Sequence, residues 1–350
     1  MRSLTLALVL AAVCAASPAP SLAQNRPPSQ QISERLFYKT PLGATRAGYL
    51  YMPPGNGPFP GVVIYSLAGV NDMIDRLGRQ GYAILLAERR GMGTPDQYLA
   101  ASLDDLENDA LGALEYLRAQ TKVDPKMVGV IAQGGETLTG IPAFTREPAP
   151  AFIVLMSPTG LAGDEDFRLE QTLLVRGRGK SASEVAMVND YVLKLAQIIK
   201  SEPAPAMRTM KIQMLMDESE IRLDQIAAFP PDEQEQVRFF ASPWWRDYFS
   251  YRPDSVMAKI AAPTLVVYGT EDQLMPPEIQ VPAVRMFLDR SPSKDATVCL
   301  LPERTHHSIS RVALDVIERW ITERISSAGG LEIIDRAGAP PPEQCLKEER

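Results

Sequence analysis

The 350-residue sequence predicts an α/β fold, a mainly parallel sheet flanked on both faces by helices. Three observations carry this. Short apolar runs rich in Val, Ile and Leu, at 61–65, 82–87, 127–131, 151–156, 263–268 and 297–301, have the length of strands and the continuous apolarity of strands covered on both sides. Most of them are separated by segments of helical spacing with short connections. One run, Val128-Gly-Val-Ile-Ala-Gln-Gly-Gly-Glu136, breaks into small residues where a sharp turn forms without Cβ clashes.

The chain opens with Met1-Arg-Ser, an apolar segment at 4–16 and small residues at Ser21 and Ala23. This pattern is that of a secretory signal, 1–23, cleaved after Ala23, and the segment is short for the alternative, a single membrane helix. Export to the periplasm or beyond is therefore expected, with no transmembrane segment after signal removal. Residues 24–34 are polar, with paired prolines, and read as a flexible leader. The main domain is expected over 35–327. It begins with an antiparallel hairpin at 36–51 around Pro41-Leu-Gly43 and a proline-rich loop at 52–60.

Strand 61–65 is followed by a helix at 72–80 that Gly81 stops, then by strand 82–87. The helix at 103–120 places Leu106, Ala110, Leu114 and Leu117 on one face, with Asp104, Asp105 and Glu107 favouring its N-terminal dipole. Val123-Asp-Pro125 reads as the turn into the next strand, and 151–156 is a further buried strand. The alternation then lapses. Residues 160–255 carry helical segments at 182–200, 206–226 and 232–248, the last interrupted near Ser242-Pro243. They are expected to be a helical lid or cap insertion over the carboxyl ends of the strands; the alternative is added helical surface with no part in ligand selection. Strand 263–268, helix 281–289, strand 297–301 and helix 309–325 close the domain, and 328–350 reads as a loosely attached tail.

Composition narrows the function. Hydrophobic residues are 45% and charged residues 23%, with a formal net charge of −7. No dense Lys/Arg patch with interleaved aromatics is present, so a nucleic-acid partner is not expected. Cys14 leaves with the signal, and Cys299 and Cys345 either pair in an oxidising compartment or remain buried thiols. The chain's two histidines, His306 and His307, are adjacent and lack helical metal-ligand spacing. No P-loop lysine or complete dinucleotide glycine pattern follows 129–135. Neither a metal nor a cofactor is expected.

Taken together, local motifs over about 36–327 resemble the α/β-hydrolase superfamily, near its secreted serine aminopeptidase and esterase-like branch. Pro60-Gly-Val-Val-Ile-Tyr-Ser66 is similar to the strand entering the oxyanion loop, and Glu88-Arg-Arg-Gly-Met-Gly93 to the family's Arg-Gly-x-Gly turn. Residues 128–136 occupy the nucleophile elbow. Residues 263–272 match the strand and loop of the triad acid, and Leu301-Pro-Glu-Arg-Thr-His306 the histidine loop. Ser242-Pro-Trp-Trp-Arg-Asp-Tyr-Phe-Ser-Tyr-Arg-Pro253 resembles the segment before the acid strand in this branch.

The resemblance implies a serine nucleophile, Asp272 as the acid and His306 as the base, with His307 a neighbouring competitor for that place. It implies oxyanion amides near Leu67 and Gly135. The departure lies at the centre. Against Gly-x-Ser-x-Gly this chain reads Ala132-Gln-Gly-Gly-Glu136, so Gly134 stands where the serine should be. Loss of that serine in subtilisin costs about 10⁶ in turnover, which sets the scale of the deficit. Ser66, Ser157 and Glu136 are the side chains that could stand in, the first two as nucleophiles and Glu136 by activating water.

Two function classes follow. One is an atypical hydrolase of ester, amide or other acyl substrates, using an unconventional nucleophile or activated water. The other is a pseudo-hydrolase that binds a small molecule or a protein. The ligand expected is an apolar or acyl small molecule. Trp244, Trp245, Tyr248 and Phe249 read either as an aromatic wall for it or as core packing, and Glu88, Arg89 and Arg90 as braces between loops. The oligomeric state is open.

Overall fold

A computed structural model describes residues 32–65, 70–91, 95–219, 232–302, 309–329 and 345–347. The expected signal 1–23, most of the leader, and Ser66, Leu67, His306 and His307 lie outside the described residues. The chain divides into two compact units, an α/β unit (27–89, 104–160 and 253–350) and a helical unit that includes 90–103 and 161–252.

The α/β unit is organised by one nine-stranded sheet. Its strands are β1 (Ile32–Lys39), β2 (Thr45–Met52), β3 (Phe59–Tyr65), β4 (Ala83–Ala87), β5 (Val123–Gln133), β6 (Ile153–Met156), β7 (Thr264–Gly269), β8 (Ala296–Leu301) and β9 (Cys345–Lys347). They lie in the order β1-β2-β4-β3-β5-β6-β7-β8-β9. From β4 to β8 neighbouring strands are parallel, and β1, β2 and β9 are antiparallel additions at the two ends. The first strand starts at Ile32, inside the stretch read as leader. The expected turn at 123–125 is the irregular start of β5, where the register against β3 shifts.

In chain order the helices are α1 (Val70–Arg79), α2 (Pro95–Leu99), α3 (Leu103–Arg118), α4 (Gly135–Phe144), α5 (Gly163–Gly177), α6 (Ala182–Ser201), α7 (Pro205–Asp217), α8 (Glu233–Phe240), α9 (Pro243–Ser250), α10 (Pro253–Met257), α11 (Pro277–Asp289) and α12 (Arg311–Gly329).

Continuous apolar strands follow from a sheet buried on both faces. Val63, Val130, Leu155 and Val266 join α3, α4 and α11 in one core through Leu114, Ile141 and Val284. Their neighbours Val62, Ile131, Val154 and Leu265 point the other way, onto α1 and α12 through Leu77 and Ile317. Each such Val, Leu or Ile contributes about 1.5–3 kcal/mol by leaving water. Gly129 has a specific reason to lack a side chain: an ideal Cβ there would lie 2.4 Å from the ring of Phe152. Only glycine lets that ring cross β5.

The C-terminal stretch differs from the loose tail expected of it, since it returns to the sheet edge as β9 against β8. Cys299 is fully buried and disulfide-bonded, so it is not the free thiol of the alternative reading. Cys345 is its direct partner in the β8–β9 register. A three-residue strand has too little periodicity to be seen in sequence.

The helical unit holds 161–252 together with the segment 90–103. Where a helix was expected over 206–226, α7 ends at Asp217, and 220–231 lie outside the described residues. The unit's core is aromatic. Trp245, Phe249, Phe240 and Phe167 are almost fully buried, with Phe167 and Trp245 rings 4.8 Å apart and Phe240 and Trp245 4.9 Å apart. Trp244 stacks on Tyr248 at 5.0 Å. Of the two readings offered for these aromatics, core packing is the one observed. At the start of α6 the Ser181 hydroxyl accepts from the Glu184 N–H, and the Glu184 carboxylate accepts from the Ser181 N–H, a capping box. Its two Ser181 donors hold the Glu184 carboxyl down at about 2.

A carboxyl in this unit makes its stability sensitive to pH. Glu170 keeps part of its surface open, yet the packed helices around it, with Asp166 one turn earlier, push its carboxyl up from 4.5 to about 8. The folded state therefore binds the Glu170 proton more tightly than the unfolded chain. That stabilisation is complete below the ordinary carboxyl pKa and is lost as pH rises through about 8. We expect Glu170→Gln to raise the urea midpoint relative to the parent at about pH 9, with the difference vanishing near pH 4. An equal difference at both values would assign the effect to packing rather than to charge.

Candidate functional site

The strand order locates a crevice before any side chain is considered. Chain progression runs from β3 to β4 on one side and from β5 onward on the other, so the order reverses between β3 and β5. Ligands of open parallel sheets bind outside the carboxyl ends of the strands at such a reversal. Here those ends are Tyr65, leading into 66–69, and Gln133, leading into Gly134.

Gly134 is the bend between β5 and α4. Its backbone has φ 57° and ψ −128°, a combination that strains any residue with a Cβ and costs glycine little. The turn is pinned from both sides. The Gly134 N–H donates to Met156 O at 2.9 Å, and its carbonyl accepts from Thr137 N at 2.9 Å and Thr137 Oγ1 at 2.6 Å. The residue at this strand-to-helix bend carries no side chain. Gly135 opens α4, so its N–H is one of the donors a helix start leaves unpaired, and an added Cβ there would meet nothing within 4 Å. An amide at a helix N-terminus beside open space is suited to a developing oxyanion. Leu67, named for the second amide, lies outside the described residues.

Asp272 follows β7 and is 2% exposed. Its Oδ1 accepts from Met275 N at 2.9 Å and Leu274 N at 3.2 Å, an Asx-type turn that locks the loop. Its Oδ2 accepts from Ser157 Oγ at 2.8 Å. Ser157 is itself fully buried, directly after β6, with its N–H donated to Val267 O at 2.8 Å. Of the side chains considered as stand-in nucleophiles, Ser157 is thus bonded to Asp272. Glu136, in the first turn of α4, lies against Arg89, with Nε 2.5 Å from Oε1. Arg35 grips Glu88 with two nitrogens, at 2.9 and 3.1 Å. Glu88 and Arg89 act as the loop braces expected, tying the end of β4 to β1 and to α4.

The structure brings Gly134, Gly135, Glu136, Ser157 and Asp272 to the carboxyl ends of three adjacent strands, β5, β6 and β7. The loop holding His306 starts just after β8, the next strand along, and Ser66 just after β3; both lie outside the described residues. The contact between Ser157 and Asp272 was not visible in sequence. The one signal was a serine immediately after an apolar strand, and nothing local tells a nucleophile from a residue that holds another.

No protein-family model matches the chain. Solved structures of similar shape are numerous and distant in sequence. The α/β hydrolase GrgF of Penicillium sp. sh18 is 13% identical, with a TM-score of 0.56 over 86% of this chain and 100% of that one. The 2,6-dihydroxy-pseudo-oxynicotine hydrolase is 15% identical, with a TM-score of 0.54 over 85% of this chain and 69% of that one. The acetyl xylan esterase of Paenibacillus sp. R4 is 16% identical, with a TM-score of 0.51 over 86% of each. At such identities the likeness concerns architecture, and together with the strand order and the bend at Gly134 it shows that this protein has the α/β-hydrolase fold with a helical insertion.

Proposed function

We propose that this protein binds an acyl or related carbonyl compound on a hydrolase scaffold and forms no covalent intermediate with it. Gly134 carries the proposal: the residue aimed by the elbow has no atom that can attack. Ser157 and Glu136, two of the side chains that could replace it, are engaged with Asp272 and Arg89. The ligand's carbonyl oxygen would sit at the Gly135 N–H, with the Leu67 amide as the second donor. The test is intact-mass spectrometry of the mature protein during incubation with short- and long-chain activated esters, beside calorimetry with a non-hydrolysable alkyl amide. Amide binding without any acylated protein is expected. A mass increase equal to one acyl group, at any time, would refute the proposal.

A second reading rests on Asp272. A buried carboxylate held by three donors is the kind of anchor that orients a histidine, so His306 paired with Asp272 would serve as base for direct attack by water. Ester hydrolysis by the parent that disappears in His306→Ala, still with no acylated protein, would select this reading. We also propose that the protein works after export. The N-terminal 1–23 pattern and the disulfide at Cys299 both suit an oxidising compartment, and no described helix is long and apolar enough to cross a membrane.

A further inference from the structure

We infer that the α/β unit carries a second ligand site, a cavity at the far end of α4 that binds a free α-amino acid with an apolar side chain.

The cavity holds about 300 Å³, at the lower end of the roughly 300–1,000 Å³ of small-molecule pockets. Buried Leu111 and Leu114 of α3 and Ala143 of α4 give it an apolar wall. It lies at the last turn of α4. That helix is ten residues long, so Gly135 at its start is about 15 Å away along the axis. The crevice at the carboxyl ends of the strands is thus a different place.

Charged side chains decide what enters. Arg118 lines the cavity, and its Nη1 and Nη2 donate to Pro148 O at 2.9 Å and Ala149 O at 2.7 Å. Its Nε is buried without an acceptor. The guanidinium is therefore held by neutral carbonyls, and burial lowers its pKa against the pull of Glu115 one turn earlier. Arg146, the other arginine of the lining, already pairs with Glu107. Each Nη of Arg118 has a second N–H to offer an incoming carboxylate.

A simple anion would also meet Glu115 and Glu147, which share the lining. Glu147 accepts from Ala149 N at 3.3 Å through Oε2, which leaves Oε1 for a ligand. An ammonium group beside the ligand's carboxylate turns these two acids from repulsive neighbours into partners. A lone cation would meet Arg118, and a purely apolar molecule would leave Arg118, Glu115 and Glu147 unanswered. An α-amino acid satisfies every part: its carboxylate goes to Arg118, its ammonium to the two acids, and its side chain to Leu111, Leu114 and Ala143.

The test is calorimetry of the full mature protein with L-leucine, expected to bind with a Kd of about 1 mM or tighter. Two analogues remove one charge each: 4-methylpentanoate lacks the ammonium and 3-methylbutylamine the carboxylate. Each should bind about tenfold more weakly or worse, the scale of one charged hydrogen bond. Ala119→Trp puts a large ring into the cavity from an exposed position on its lining, and should abolish binding with the urea midpoint unchanged. Arg118→Gln should weaken leucine about tenfold, with a lower midpoint because 148–149 loses its anchor. Leucine that does not bind the parent overturns the inference. Equal affinity for 4-methylpentanoate overturns it too, since the site would then read a carboxylate alone. Leucine binding unaltered in both Ala119→Trp and Arg118→Gln would place the ligand elsewhere on the protein and refute the site.

Discussion

Gly134→Ser should raise turnover of activated esters above that of the parent by a factor on the order of 10³ or more, bounded near the 10⁶ that a lone catalytic serine is worth in subtilisin. The expectation follows from how little else must change. The bend already has φ 57° and ψ −128°, it is bonded to Met156 and Thr137, and Gly135 after it opens a helix. What is missing is one oxygen. The same substitution puts a Cβ on a backbone that disfavours it, at about 1–3 kcal/mol, so activity should rise as the urea midpoint falls. Gly134→Ala separates the two effects, with the same loss of stability and no turnover. A folded Gly134→Ser protein that binds the alkyl amide but releases no product would show that the base is not set against the elbow. The absent serine would then be one deficit among several.

The second large effect concerns the cross-link at the sheet edge. Reduction of the parent, or Cys345→Ser, should lower the stability of the α/β unit by about 4 kcal/mol, the loop-closure entropy of a bridge spanning some 45 residues. The register places three residues of β9 on β8, with Cys299 opposite Cys345. So short a strand has little stability of its own, and without the bridge it should leave. Urea titration with and without reductant reads the loss. Hydrogen exchange at Thr297 and Cys299 reads the opened edge. Equal midpoints for the parent, the reduced parent and Cys345→Ser would mean that no bridge contributes in solution, and would remove one support for export. β8 also leads toward the histidine loop, so the serine variant at 134 should lose turnover on reduction.

Much of this architecture was legible from local chemistry. Val62 to Ile64 and Leu265 to Val267 are apolar without alternation because each residue meets a core on its own side of the sheet. The spacing of Leu106, Ala110, Leu114 and Leu117 shows the helix they form, and all four are buried as that spacing requires. The absence at position 134 was equally plain, since a glycine cannot hide a nucleophile. Other features had no local signature. The segment 90–103 belongs with the helical unit, and β9 closes the edge of the sheet. Neither follows from the period of its own residues.

The sequence by itself determined the class of fold, the helical interruption after 160 and a residue without a side chain at the bend after β5. These depend on side-chain chemistry and on periods of two or 3.6 residues, which are properties of neighbours along the chain. The tertiary structure alone decided that the Ser157 hydroxyl donates to Asp272, 115 positions away, and that Arg89 engages Glu136. Strand order chooses such partners, because a polar side chain sealed from water must take whichever donor or acceptor the sheet brings within reach.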